Sequence, residues 1–94
     1  MEYKEKCQII QYLINLSYRN RQWVIQEGES LLYQQIQMTL DRLSVEQRQI
    51  IMNDFIIKQD KNWYLEFYSR STYYRLKNDA MNSFLNCLGF YKMI

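Results

Sequence analysis

Ninety-four residues suffice for one domain and are too few for two separate cores. The chain is 48% hydrophobic, 16% aromatic and 23% charged, which excludes a disordered tail, and it has no histidine, which excludes Ser-His-Asp and Cys-His catalysis and histidine-ligated zinc. A net charge of +2 is too small to announce a nucleic-acid partner by itself, and with no proline and only Gly28 and Gly89 as glycines the chain lacks the turn residues of an all-β domain and reads as nearly all helix.

Cys7, Ile10, Leu13, Ile14 and Ser17 recur at helical intervals, with Ile9 and Leu16 widening the stripe. The pattern predicts a first helix over 3–17 that either continues to about residue 26 or bends near Asn20, with Gly28 as its left-handed cap. A second helix is expected over 30–42, started by Glu29 or Ser30 and carrying Leu32, Ile36 and Leu40 inward. Ser44 and Gln47 have the spacing of a capping box, which opens a third helix bearing Val45, Ile50, Ile51, Phe55 and Ile57. The polar run 58–62 is a connector, Trp63 to Phe67 a short fourth helix, and Ser69 the cap of a long fifth helix that meets no breaker before Gly89.

The expected architecture is therefore all-α: one domain over 1–94 with about five helices, in which 1–43 form an N-terminal half and 44–88 a helix-turn-helix region. The N-terminal half is neutral, with Lys4, Lys6, Arg19, Arg21 and Arg42 balanced by Glu2, Glu5, Glu27, Glu29 and Asp41. Residues 69–94 carry Arg70, Arg75, Lys77 and Lys92 against Asp79 alone, so the positive excess is concentrated at the C-terminal end. Cys7 and Cys87 lack C-x-x-C spacing and are expected as reduced, buried thiols. The apolar stretch 9–16 is interrupted by Gln11 and Asn15, so neither signal peptide nor membrane span is expected and a cytoplasmic location is.

On the last helix Tyr73, Leu76, Ala80, Phe84, Cys87 and Leu88 fall on one apolar face, while Ser71, Tyr74, Arg75, Asn78 and Asn82 gather opposite, with Asp79 expected off that side. Arginine bidentate to guanine, asparagine bidentate to adenine and hydroxyls to base or phosphate are what a major groove takes from such a face. Its first turn, Ser69 to Thr72, adds orphan amides and a positive dipole end that favour phosphate.

The stretch Leu43-Ser-Val-Glu-Gln-Arg-Gln-Ile-Ile51, then Trp63, then Tyr68-Ser-Arg-Ser-Thr-Tyr-Tyr-Arg-Leu-Lys-Asn-Asp-Ala80, resembles region 4 of bacterial sigma factors. More closely it is similar to the small sigma-region-4-like regulators of the ArpU type found in phages, and to related small mycoplasma proteins. The resemblance spans 43–88, with Ser69 to Leu76 as its most specific part. It implies a helix-turn-helix that binds promoter DNA, with helix 70–88 in the major groove and Arg70, Ser71, Thr72, Tyr74, Arg75 and Asn78 toward the duplex; Lys77 joins the expected DNA-binding residues as a charge that strengthens binding to all sequences alike. Trp63 and Phe67 stand where that pattern has a small residue and a glycine, so the turn is not expected to copy the glycine-dependent geometry unchanged.

The expected function is a DNA-binding transcription regulator whose partners are double-stranded DNA and, as further candidates, RNA polymerase and a second copy through the neutral N-terminal half. The alternative is a helical interaction module, a dimer or polymerase adaptor, that keeps the fold without binding DNA. An enzyme is not expected, since no paired carboxylates or Gly-rich phosphate loop accompany the missing histidines. No cofactor, metal or membrane is expected either.

Overall fold

The computed structural model describes the backbone over residues 2–23 and 31–89, with side chains over 2–18 and 31–89. Among the described residues there are four α-helices and no strand: α1 (Tyr3–Trp23), α2 (Leu31–Arg42), α3 (Val45–Ile51) and α4 (Arg70–Cys87). No helix of the described residues is long and apolar enough to cross a membrane.

Of the two courses open to the first helix, α1 takes continuation beyond residue 17, running without a break through Asn20 to Trp23. Ser17 is fully buried within it, and its hydroxyl donates to the Ile14 carbonyl at 2.9 Å, which leaves no orphan donor in the core. The expected caps Gly28, Glu29 and Ser30 lie outside the described residues, as do Lys92 and the side chains of Arg19, Arg21 and Trp23.

The Ser44 capping box forms as its spacing predicts. The Ser44 hydroxyl accepts from the Gln47 amide at 3.1 Å and the Gln47 side chain accepts from the Ser44 amide at 3.2 Å. From this start α3 runs into a π turn, Met52–Ile56, closed by Ile57 N–H donating to the Met52 carbonyl at 2.7 Å. The side-chain amide of Gln11, on α1, enters the widened ladder and donates to the Phe55 carbonyl at 3.0 Å, which supplies that carbonyl with a donor from outside the helix.

The expected count of about five helices becomes four α-helices among the described residues. Trp63–Glu66 is one 3-10 turn, with Leu65 N–H bonded to the Asn62 carbonyl and Phe67 N–H to the Tyr64 carbonyl. Only a handful of residues separate the polar connector from the Ser69 cap, too few to offset the cost of nucleating an α-helix. Phe67 has φ −115°, so the turn before α4 is built without a left-handed residue at that point. The left-handed position lies earlier, at Lys58 with φ 59°. Gly89, with φ 96°, takes the left-handed conformation just beyond α4 that a glycine adopts without steric cost.

Packing divides in two. The main core joins Ile10 and Ile14 of α1, Ile36 and Leu40 of α2, Ile51 and Phe55 of the third segment, and Ala80, Met81, Phe84 and Leu85 of α4. A smaller cluster of Ile50, Tyr64 and Tyr73, with Trp63, Tyr68 and Leu76 packed against it, sits where the 3-10 turn meets the start of α4. One expectation about the core is corrected: Cys87 is exposed, because the buried stripe of α4 runs through Met81 and Leu85 and leaves Cys87 at its edge. Cys7 is half-buried and its thiol donates to the Met81 sulfur at 3.6 Å.

Candidate nucleic-acid interface

Ser69 starts α4 in extended backbone, its hydroxyl accepting from the Thr72 amide at 3.3 Å and donating to the Thr72 hydroxyl at 2.9 Å. Thr72 is thereby turned onto its own cap and is half-buried. Arg70, Ser71, Tyr74 and Arg75 are exposed on the first two turns. These four residues, next to first-turn amides that have no intrahelical acceptor, form the open part of the predicted surface.

Lys77 and Asn78 are placed differently. The Asn78 side-chain carbonyl accepts from the Lys6 ammonium of α1 at 2.9 Å, in a part-buried setting. The Lys77 ammonium is 3.1 Å from the Asp54 carboxylate, and both side chains are nearly enclosed. The rings of Tyr3, Phe55 and Tyr73 surround it at 5.7, 5.2 and 5.7 Å. The first turn of α1 therefore covers the α4 surface that follows Tyr74, with Tyr3 edge-on to Tyr74 at 5.9 Å.

Asp54 is the residue that sequence reasoning did not single out. Besides Lys77, it accepts from the Trp63 indole at 2.7 Å and from the Tyr73 hydroxyl. Three donors from two other segments thus converge on one carboxylate carried by the π turn. Tyr73 lies parallel on Tyr64 with ring centroids 3.7 Å apart, and Trp63 meets Tyr73 edge-on at 6.0 Å. Burial raises the Tyr73 hydroxyl above the ordinary tyrosine value, and the hydrogen bond to anionic Asp54 raises it further. Burial works against the charge on Lys77, yet the attraction of Asp54 and Tyr3 outweighs it and lysine is raised. Tyr3 is pushed up to about 12 by burial, against the opposing pull of Lys77. The arrangement ties the short turn to α4 and fixes the direction in which α4 leaves it.

Nothing in the sequence around Asp54 marks this role. Its partners stand 9, 19 and 23 positions away, spacings that belong to no local period. Asp79 is also corrected: it is exposed one helical turn beyond Arg75, on the same side of α4 and not off it. Arg70, Arg75 and Lys77 therefore do not form an unbroken positive strip: Asp54 pairs with Lys77, and Asp79 flanks Arg75. Trp63 is half-buried against Asp54, while Leu65 and Phe67 are 51% and 60% exposed beside it.

Compared with protein-family models, with curated proteins and with solved structures, the chain finds no match in any of the three.

Proposed function

We propose that the protein binds duplex DNA as a transcription regulator of sigma-region-4-like type, reading the major groove with the first two turns of α4. The observation that supports this most is the exposure of Arg70, Ser71, Tyr74 and Arg75 together on those turns, directly after a capped helix start. Arginine and tyrosine at the open end of a helix offer a bidentate donor and a hydroxyl to base edges, while Ser71 and the first amides offer donors to phosphate. Lys77 and Asn78, engaged by Asp54 and Lys6, contribute to the position of α4 in this reading.

A fluorescence-anisotropy titration of the full chain against labelled duplexes tests it. Binding that weakens with salt is expected, and Arg75→Ala costs about 1 to 3 kcal/mol and relaxes preference at one base pair. Absence of salt-dependent binding to every duplex at low ionic strength sinks the proposal.

One observation favours a second reading, a helical interaction module acting as a dimer or polymerase adaptor. Leu65 and Phe67 are exposed hydrophobics on the turn before α4, with acidic Glu66 between them. In that case Leu65→Ser with Phe67→Ser abolishes self-association or partner binding measured by sedimentation, while Arg75→Ala leaves it unchanged.

A further inference from the structure

Between the 57–62 connector and α4 lies an open cleft of about 340 Å³, with Lys58, Lys61 and Lys77 along it and Asp54, Tyr73 and Tyr74 among its other lining residues. Three lysines thus face one carboxylate, and that carboxylate is already paired with Lys77. Lys58 and Lys61 are exposed and form no ion pair with any described residue, and Asp60 between them does not line the cleft. Tyr74, 46% exposed, belongs both to the cleft wall and to the open first two turns of α4. The cleft and that surface are therefore continuous.

The backbone adds a separate observation. Lys58 holds φ 59°, a conformation in which glycine or asparagine is cheaper than a long side chain. A lysine kept in the left-handed region, lining a cleft with two other lysines and in no ion pair with a described residue, has a physical rationale if its ammonium meets an anion.

We infer that this cleft takes a backbone phosphate of the duplex, with Lys58 and Lys61 as its counter-charges and the Tyr74 hydroxyl as a donor. The inference rests on the DNA reading proposed above and extends the contact from α4 to a second segment of the chain. The phosphate fixes the register of the helix on the duplex, and it carries no base preference.

The test compares the 94-residue parent chain with three variants on short duplexes of different sequence over a range of salt. Lys58→Gln with Lys61→Gln is expected to weaken binding for all sequences alike and to flatten the dependence of log affinity on log salt by about one per lysine. Lys4→Gln with Arg42→Gln removes the same charge elsewhere and is expected to leave the slope near that of the parent. Lys58→Gly is expected to melt at the same or a higher temperature than the parent while binding more weakly, two effects of opposite sign that a merely structural lysine does not give. Inorganic phosphate alone, followed by amide NMR shifts, distinguishes the source: millimolar phosphate saturating the cleft with no loss of duplex binding overturns the inference. An unchanged salt slope in the lysine pair, or an equal change in the control pair, also overturns it while the DNA reading stands. A parent protein that binds no duplex takes down both.

Discussion

The two packed regions of the molecule are held by different physics. The main core is mostly aliphatic, built from four segments that present isoleucine, leucine and methionine around the rings of Phe55 and Phe84, and its stabilisation scales with apolar area taken from water. The cluster at the start of α4 is small and aromatic, and its geometry is set by directed contacts to Asp54. A core of the first kind tolerates small shifts of its helices. A cluster of the second kind fixes an angle, because a carboxylate with three donors satisfies all of them in one arrangement only. The proposed DNA-binding surface grows out of the second region, where direction matters more than total burial.

The sharpest way to break this contrast is to damage the main core. Phe84 is fully buried at its centre, and Phe84→Ala is expected to cost about 3 to 5 kcal/mol through lost burial and the cavity left behind. For a chain of this size that is a large share of the total stability. Helical circular dichroism should fall in one transition for α1, α2 and α4 together, measured by urea unfolding. Loss of only part of the helical signal would show that the core is not one cooperative unit.

A change at Asp54 is expected to be smaller and local. Asp54→Asn keeps the shape but removes the charge that offsets nearly enclosed Lys77 and strengthens the Trp63 and Tyr73 hydrogen bonds. It should cost about 2 kcal/mol. The indole N–H signal of Trp63 should move in NMR spectra while the methyl signals of Ile10 and Ile36 stay in place. Adding Lys77→Met to Asp54→Asn should recover most of the loss, since the uncompensated ammonium goes with it. No recovery would mean that the hydrogen bonds, and not the charge pair, hold the turn.

The same contrast explains what the sequence did and did not disclose. Helices α1, α2 and α4 and the start of α3 were legible because apolar residues every three or four positions, a Ser44–Gln47 box and a Ser69 cap are local signals that burial then reinforces. The π turn was not, because its cause includes the Gln11 side chain from a distant helix. The fourth expected helix failed because Trp63 to Phe67 has helical residues but no length, and its rings found partners across the turn instead of along it. For the candidate site, residue types singled out the polar side of α4, but periodicity alone left open which of its residues α1 covers. Lys6 and Tyr3 decide that, by occupying the sides of Asn78 and Lys77.

Alkaline solution should separate the two regions. Tyr73, Tyr3 and Lys77 all bind their protons more tightly in the folded chain than in the unfolded one. Their contribution is complete below the unfolded values near pH 10, and is lost as pH rises above them, because the folded state then holds more protons than the unfolded state. Stability should be flat toward neutral pH and decline from about pH 10 upward. The tyrosinate absorbance of Tyr73, read as the difference from Tyr73→Phe, should appear only as the aromatic cluster opens. An earlier appearance would contradict its enclosure against Asp54.

The smallest effect concerns Ser69, where stability and the proposed function can be pulled apart. Ser69→Ala removes the acceptor for the Thr72 amide and should cost about 1 kcal/mol, fraying the turn that carries Arg70 and Ser71. Ser69→Asp keeps an N-cap acceptor and places a negative charge at the positive end of the helix dipole, so stability should be retained or slightly raised. The same carboxylate would meet the phosphates of a bound duplex at the start of α4. Duplex affinity should therefore fall in both variants, with melting temperature lowered in Ser69→Ala and maintained in Ser69→Asp. If Ser69→Asp binds duplex as tightly as the parent, the first turn of α4 does not approach the DNA backbone. The exposed Arg70, Ser71, Tyr74 and Arg75 would then be better explained by a protein partner.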